Sequence, residues 1–129
     1  MTAALSIAVL VAAMATAGQG MAACTAGDPR LAGLYVLEGE REVGAELILR
    51  PDGSFEFGLA YGAIDQYGRG CWSLSGGALT LLPEGRRRVP AQHSPADRRF
   101  RGMVLHPGHR GELRWPLPGF RGVFRKARG

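Results

Sequence analysis

Between Ala45 and Tyr61 the chain alternates apolar and polar side chains on both sides of a Pro-Asp-Gly-Ser turn. That pattern admits little besides an antiparallel β-hairpin. In the first arm Ala45, Leu47 and Leu49 share a face against Glu46, Ile48 and Arg50. In the second arm Phe55, Phe57, Leu59 and Tyr61 share a face against Glu56, Gly58 and Ala60. Pro51 presets φ for a turn, and Asp52-Gly53 tolerates the positive φ that a hairpin needs. A chain built around such a unit folds as sheet.

The rest of the chain after residue 23 continues in the same period and carries no helical repeat. Leu34 to Glu38 reads as a first strand. After a loop at Gly62 to Gln66, Gly70 to Ser75 reads as another, with Trp72 and Leu74 inward. Gly76-Gly77 makes a second hairpin turn, and Ala78 to Leu82 returns with Leu79 and Leu81 inward. Pro83 to Arg99 is polar, with Arg86-Arg87-Arg88 and two prolines, and reads as an exposed loop with one poor strand around Val89. Phe100 to Leu105, Gly111 to Trp115 and Phe120 to Lys126 complete the set. The expectation is an all-β domain of about seven or eight short antiparallel strands, either a small barrel or a sandwich, since both limit exposed edges.

Residues 1–23 stand apart. Leu5 to Ala17 is apolar except for Ser6 and Thr16, and no charged side chain precedes Asp28. A membrane-spanning helix needs ~20 apolar residues, whereas a signal peptide needs a core of ~7–15 followed by small residues. Ala15-Thr16-Ala17, Gly20-Met21-Ala22 and Met21-Ala22-Ala23 all offer such a cleavage site. Residues 1–23 therefore read as a signal-peptide helix, the alternative being a buried N-terminal helix or an uncleaved anchor, and residues 24–129 as one β-domain. The expected destination is the periplasm or the cell exterior.

Cys24 and Cys71 are the two cysteines of the chain. An isolated pair in an oxidising compartment usually forms a disulfide. Two alternatives stand beside it: lipid attachment at Met21-Ala22-Ala23-Cys24, which would anchor the protein to a membrane, and two free thiols. Gly70-Cys71-Trp72 superficially resembles a cysteine-protease nucleophile, but the surrounding signature is absent.

The net charge of +5 is unevenly spread. Eight acids face four arginines from Cys24 to Leu82, a balance of −4. Twelve bases face three acids from Pro83 onward, a balance of +9. Such a basic half suits an anionic envelope component or an acidic protein, while export and the lack of a recognition motif argue against nucleic acid.

Several of these residues form a recognisable pattern. It runs Gly33-x-Tyr35, Glu46-Leu47-x-Leu49-x-Pro51-Asp52-Gly53-x-Phe55, Tyr61-Gly62-Ala63-x-Asp65, Gly70-x-Trp72 and Leu79-x-Leu81. It resembles uncharacterised exported bacterial proteins, and is similar to the opening hairpins of lipocalin-like small β-barrels. The resemblance spans Gly33 to Leu82. It implies a lipocalin-like meander whose interior either holds an apolar small molecule or is filled by side chains.

No catalytic motif stands out. Glu40, Glu42 and Asp65 are the carboxylates that could pair as acid and base, but they read as solvated loop residues. His93, His106 and His109, with Met103, offer ligand types suited to copper or zinc. Pro107-Gly108 between the last two marks a turn, so no metal and no cofactor is expected. Tyr61, Asp65 and Trp72 remain as the ligand-binding candidates. The expected function is a non-catalytic binding or structural barrel of the bacterial envelope. The alternative is a small periplasmic enzyme or metal-handling protein.

Overall fold

A computed structural model describes residues 23–128. Residues 1–22, and with them nearly all of the signal-peptide reading, lie outside the described residues.

Eight antiparallel strands close into a barrel in sequence order: β1 (Gly33–Glu38), β2 (Val43–Leu49), β3 (Ser54–Tyr61), β4 (Ile64–Ser75), β5 (Ala78–Pro83), β6 (Met103–Pro107), β7 (Leu113–Arg114) and β8 (Val123–Lys126). β8 pairs back onto β1, with Leu37 opposite Phe124. The barrel thus holds, and the sandwich does not. The strong hairpin lies in the expected register, Leu47 opposite Phe57 and Leu49 opposite Phe55.

Alternation then sorts the side chains. Tyr35, Leu47, Leu49, Phe55, Phe57, Leu79, Leu81, Leu105 and Phe124 all point inward and are buried. Fully burying one such large apolar side chain stabilises by ~1.5–3 kcal/mol, so the interior wall dominates the energetics.

One end of the barrel carries the leader, residues 24–32, and the 50–53 turn. There Cys24 and Cys71 are joined by a disulfide, with Cα atoms 5.4 Å apart. Alternation explains the meeting: Trp72 is buried, so Cys71 faces outward, where the leader passes. The bond occupies the Cys24 sulfur, which leaves none for a lipid. Gly27 donates its N–H to the Pro51 carbonyl at 3.0 Å. Its backbone lies flat on the Trp72 indole, so close that a Cβ would fall 2.2 Å from the ring. The Trp72 Nε1–H donates to the Arg50 carbonyl at 2.9 Å. Trp72 therefore shuts this end, sealed from outside by the leader.

Four details differ from expectation. The loop at Gly62 to Gln66 is only a two-residue turn, and β4 already begins at Ile64. Leu74 is in register to face inward, but it lies near the strand end beyond the packed interior and is 45% exposed. No strand forms around Val89. The last three strands are shorter than their patterns, with pairing that begins only at Met103, Leu113 and Val123.

The stretch after β5 differs most. β5 pairs with β4 only from Gly70 to Ser75, leaving residues 64–69 of β4 without a strand neighbour on that side. Residues 84–102 fill the gap and dip into the barrel. Inward-facing Gly68 makes the room: a Cβ there would sit 2.1 Å from the Phe100 ring. Phe100 stacks on Phe57 with centroids 4.6 Å apart. The segment expected to be an exposed loop is partly a plug.

Candidate functional site

The end opposite the disulfide is the mouth, where residues 39–42, 62–63, 84–102 and 115–122 gather. Just inside it lies the polar cluster of the interior.

Gln66 is at its centre. Alternation along β4 turns Ile64, Gln66, Gly68, Gly70 and Trp72 inward, and Gln66 is buried. Its Nε2 donates to the carbonyls of Ser94 at 3.0 Å and Asp97 at 2.6 Å, with Pro95 at 3.3 Å. Its Oε1 is 2.6 Å from His93 Nε2. Both ends of one carboxamide thereby hold the plug.

The His93 ring is sealed in; its side chain is 1% exposed. It lies parallel to Trp115 at 5.5 Å and edge-on to Phe57 and Phe100. The Trp115 Nε1–H donates to the His93 carbonyl at 3.0 Å. Because the Gln66 amide hydrogens are directed to carbonyls, its Oε1 must accept, and His93 Nε2 must carry the proton. His93 Nδ1 is left without a hydrogen-bond partner. It faces Asp97 Oδ2 at 3.4 Å, an oxygen that already accepts the Ser94 N–H. Burial among these rings holds the imidazole below its ordinary value of 6.5, against a smaller opposing pull from the Asp97 carboxylate.

Above the cluster opens a cleft of ≈ 480 Å³ between residues 39–43, Tyr61, residues 94–96 and Phe120. Val43, Tyr61 and Phe120 give it an apolar wall, and Glu40, Arg41 and Glu42 a charged rim. Glu40 Oε1 accepts the Arg121 N–H at 2.7 Å, fixing the 115–122 segment beside the cleft.

The three ligand-binding candidates from sequence are not one site. Tyr61 lines the cleft. Asp65 stands exposed on the outer face of β4, beside a different depression. Trp72 is buried at the far end. Glu40 and Glu42 share the cleft rim, whereas Asp65 does not join them. His106 lies on β6 and His109 in the turn that follows it, at the far end of the barrel from His93. Among the described residues, no three His, Cys, Asp or Glu side chains gather as a metal site.

Gln66 and the interior role of His93 escaped sequence reasoning. One signal for Gln66 was present: it shares parity with Gly68, Gly70 and Trp72. Nothing local marked His93, whose burial depends on long-range closure of the loop. Comparisons with family models, with curated proteins and with solved structures find no match, so a functional reading rests on the barrel's own geometry.

Proposed function

We propose that this protein is an exported, non-catalytic binding barrel of the bacterial envelope, periplasmic or secreted, that meets its partner at the mouth. The observation that carries the reading is the filled interior. Aromatic rings and the plug occupy the space where a lipocalin-like barrel would hold a ligand, and the one imidazole inside is shut away from any substrate. The mouth cleft stays open above it, and combines an apolar wall with a charged rim in the manner of small-ligand sites. Its chemistry suits an amphipathic molecule or peptide end, with its apolar part on Tyr61 and Phe120 and its polar part at the Glu40–Glu42 rim. The disulfide accords with an oxidising compartment, and the apolar run from Leu5 to Ala17 accords with export.

The test is a fragment screen followed by backbone amide NMR on the oxidised domain. Binders should shift Val43, Tyr61 and Ala96 together, and Tyr61→Ala should abolish those shifts. Shifts centred on Phe57 and Phe124 would overturn the mouth in favour of an inner site. Recovery of the full-length, uncleaved chain in the cytoplasmic fraction would overturn the export.

A further inference from the structure

The plug segment has a second, outward character. Residues 84–102 carry Arg86, Arg87, Arg88, Arg98, Arg99 and Arg101, and its two acids are Glu84 and Asp97. Both acids are already engaged: Glu84 pairs with Arg69 at 3.2 Å, and Asp97 holds the Ser94 N–H and faces His93. None of the six guanidiniums lies in an ion pair among the described residues. All six are exposed.

The two arms of the segment run together. Val89 Cγ2 lies 2.9 Å from where a Gly102 Cβ would stand, so Arg88 and Arg101 belong to adjacent stretches of backbone. Between the arms is a depression of ≈ 540 Å³, bordered by Gln92, Asp97, Arg98, Arg99 and Arg101. The Gln66 clamp fixes this arrangement from inside. Directly beside Gln66, Tyr67 points outward from β4 and is 65% exposed, with Asp65 and Arg69 on either side. Most of the acids lie elsewhere, on the 24–82 half of the chain. Residues 84–102 therefore present one densely basic surface.

We propose that the 84–102 segment docks the protein on a membrane surface rich in anionic phospholipid, with a lipid phosphate seated between Arg98, Arg99 and Arg101. Guanidinium forks match phosphate oxygens two at a time. Clustered arginines add attraction to an anionic surface residue by residue. A tyrosine ring suits the headgroup layer at such a surface. The inference goes beyond the mouth cleft and rests only on the binding, non-catalytic reading of an exported barrel.

The test uses the mature, oxidised protein and sedimentation with vesicles of phosphatidylcholine, with and without roughly one-third phosphatidylglycerol. Wild type should bind the anionic vesicles and not the neutral ones. Replacing Arg98, Arg99 and Arg101 by Gln should weaken binding roughly a hundredfold. Replacing Arg86, Arg87 and Arg88 in the same way should weaken it as well, a second readout if the first variant folds poorly. The same charge change at Arg110, Arg114 and Arg128 should alter binding by less than about threefold. Equal losses from the loop and control triples would overturn the proposal, leaving only net charge. So would absence of vesicle binding, including the case where the loop arginines instead govern self-association by light scattering. Either failure with the cleft shifts intact would leave the mouth-binding reading standing.

Discussion

Gln66 Oε1 and His93 Nε2 meet at 2.6 Å inside the barrel, across a gap of 27 residues in sequence. This contact ties the wall of the barrel to the segment that closes it. Removing the carboxamide strips partners from several carbonyls and from the imidazole at once, and each buried group so orphaned loses ~1–3 kcal/mol. Gln66→Leu keeps the volume and should destabilise by at least about 3 kcal/mol. Amide exchange in residues 84–102 should rise well before that of β2 and β3. Uniform exchange across the barrel would show that the clamp is not what holds the plug.

His93 gives the plug a dependence on acid. Its folded value lies below the ordinary histidine value of 6.5. On acidification the unfolded chain therefore takes up the proton first. The stability due to neutral His93 is whole above about pH 6.5 and is lost as pH falls through the folded value. His93→Gln can still bond Gln66 but cannot titrate. The wild-type melting temperature should fall more steeply below pH 6.5 than that of the variant. Parallel curves for the two proteins would assign the acid response to carboxylates elsewhere.

Trp72 closes the other end, and Trp72→Ala should cost ~3–5 kcal/mol, as large-to-small changes in packed interiors do. Because Gly27 rests on the indole, the variant should also loosen the leader. Limited proteolysis would read this as new cleavage within residues 24–32. An unchanged melting curve would remove Trp72 from the packing account.

The disulfide spans 47 residues in sequence, so in the chain-entropy model it stabilises by about 4 kcal/mol. Reduction, or the double change Cys24→Ala with Cys71→Ala, should lower the melting temperature markedly. The eight-strand barrel itself should persist, and its far-ultraviolet circular dichroism with it. Collapse of the sheet signal would mean that the leader is needed to build the barrel.

The strands that sequence disclosed are those whose signals are local. The Ala45–Tyr61 hairpin needs only alternation and Pro-Asp-Gly, and its register lies as the pattern implies. The start of β4 was hidden because Gln66 and Gly68 occupy inward positions and break the apolar rhythm. Their smallness and polarity serve Phe100 and His93, which lie more than twenty residues away. Prolines and arginines in residues 84–102 correctly marked a segment without strands. They could not reveal that His93 and Phe100 turn back inside, since that depends on the finished barrel. Of the candidate site, Tyr61 was legible as a ring at the end of a strand. The cleft around it, made by four separate segments, was not.

The shortest strand has a consequence for how the protein survives its own fluctuations. β7 has two residues and joins β6 and β8 through two paired positions on each side. This is the seam along which the cylinder is most easily unzipped. When it parts, β6 and β8 become raw edges able to recruit a strand from a neighbouring molecule. Pro107 ends β6, and Pro116 and Pro118 follow β7, each lacking the N–H that a recruited strand would need. Arg110 and Arg114 add charge at the same place. The seam that lets the barrel breathe is thus flanked by residues that keep an opened barrel from growing into an aggregate.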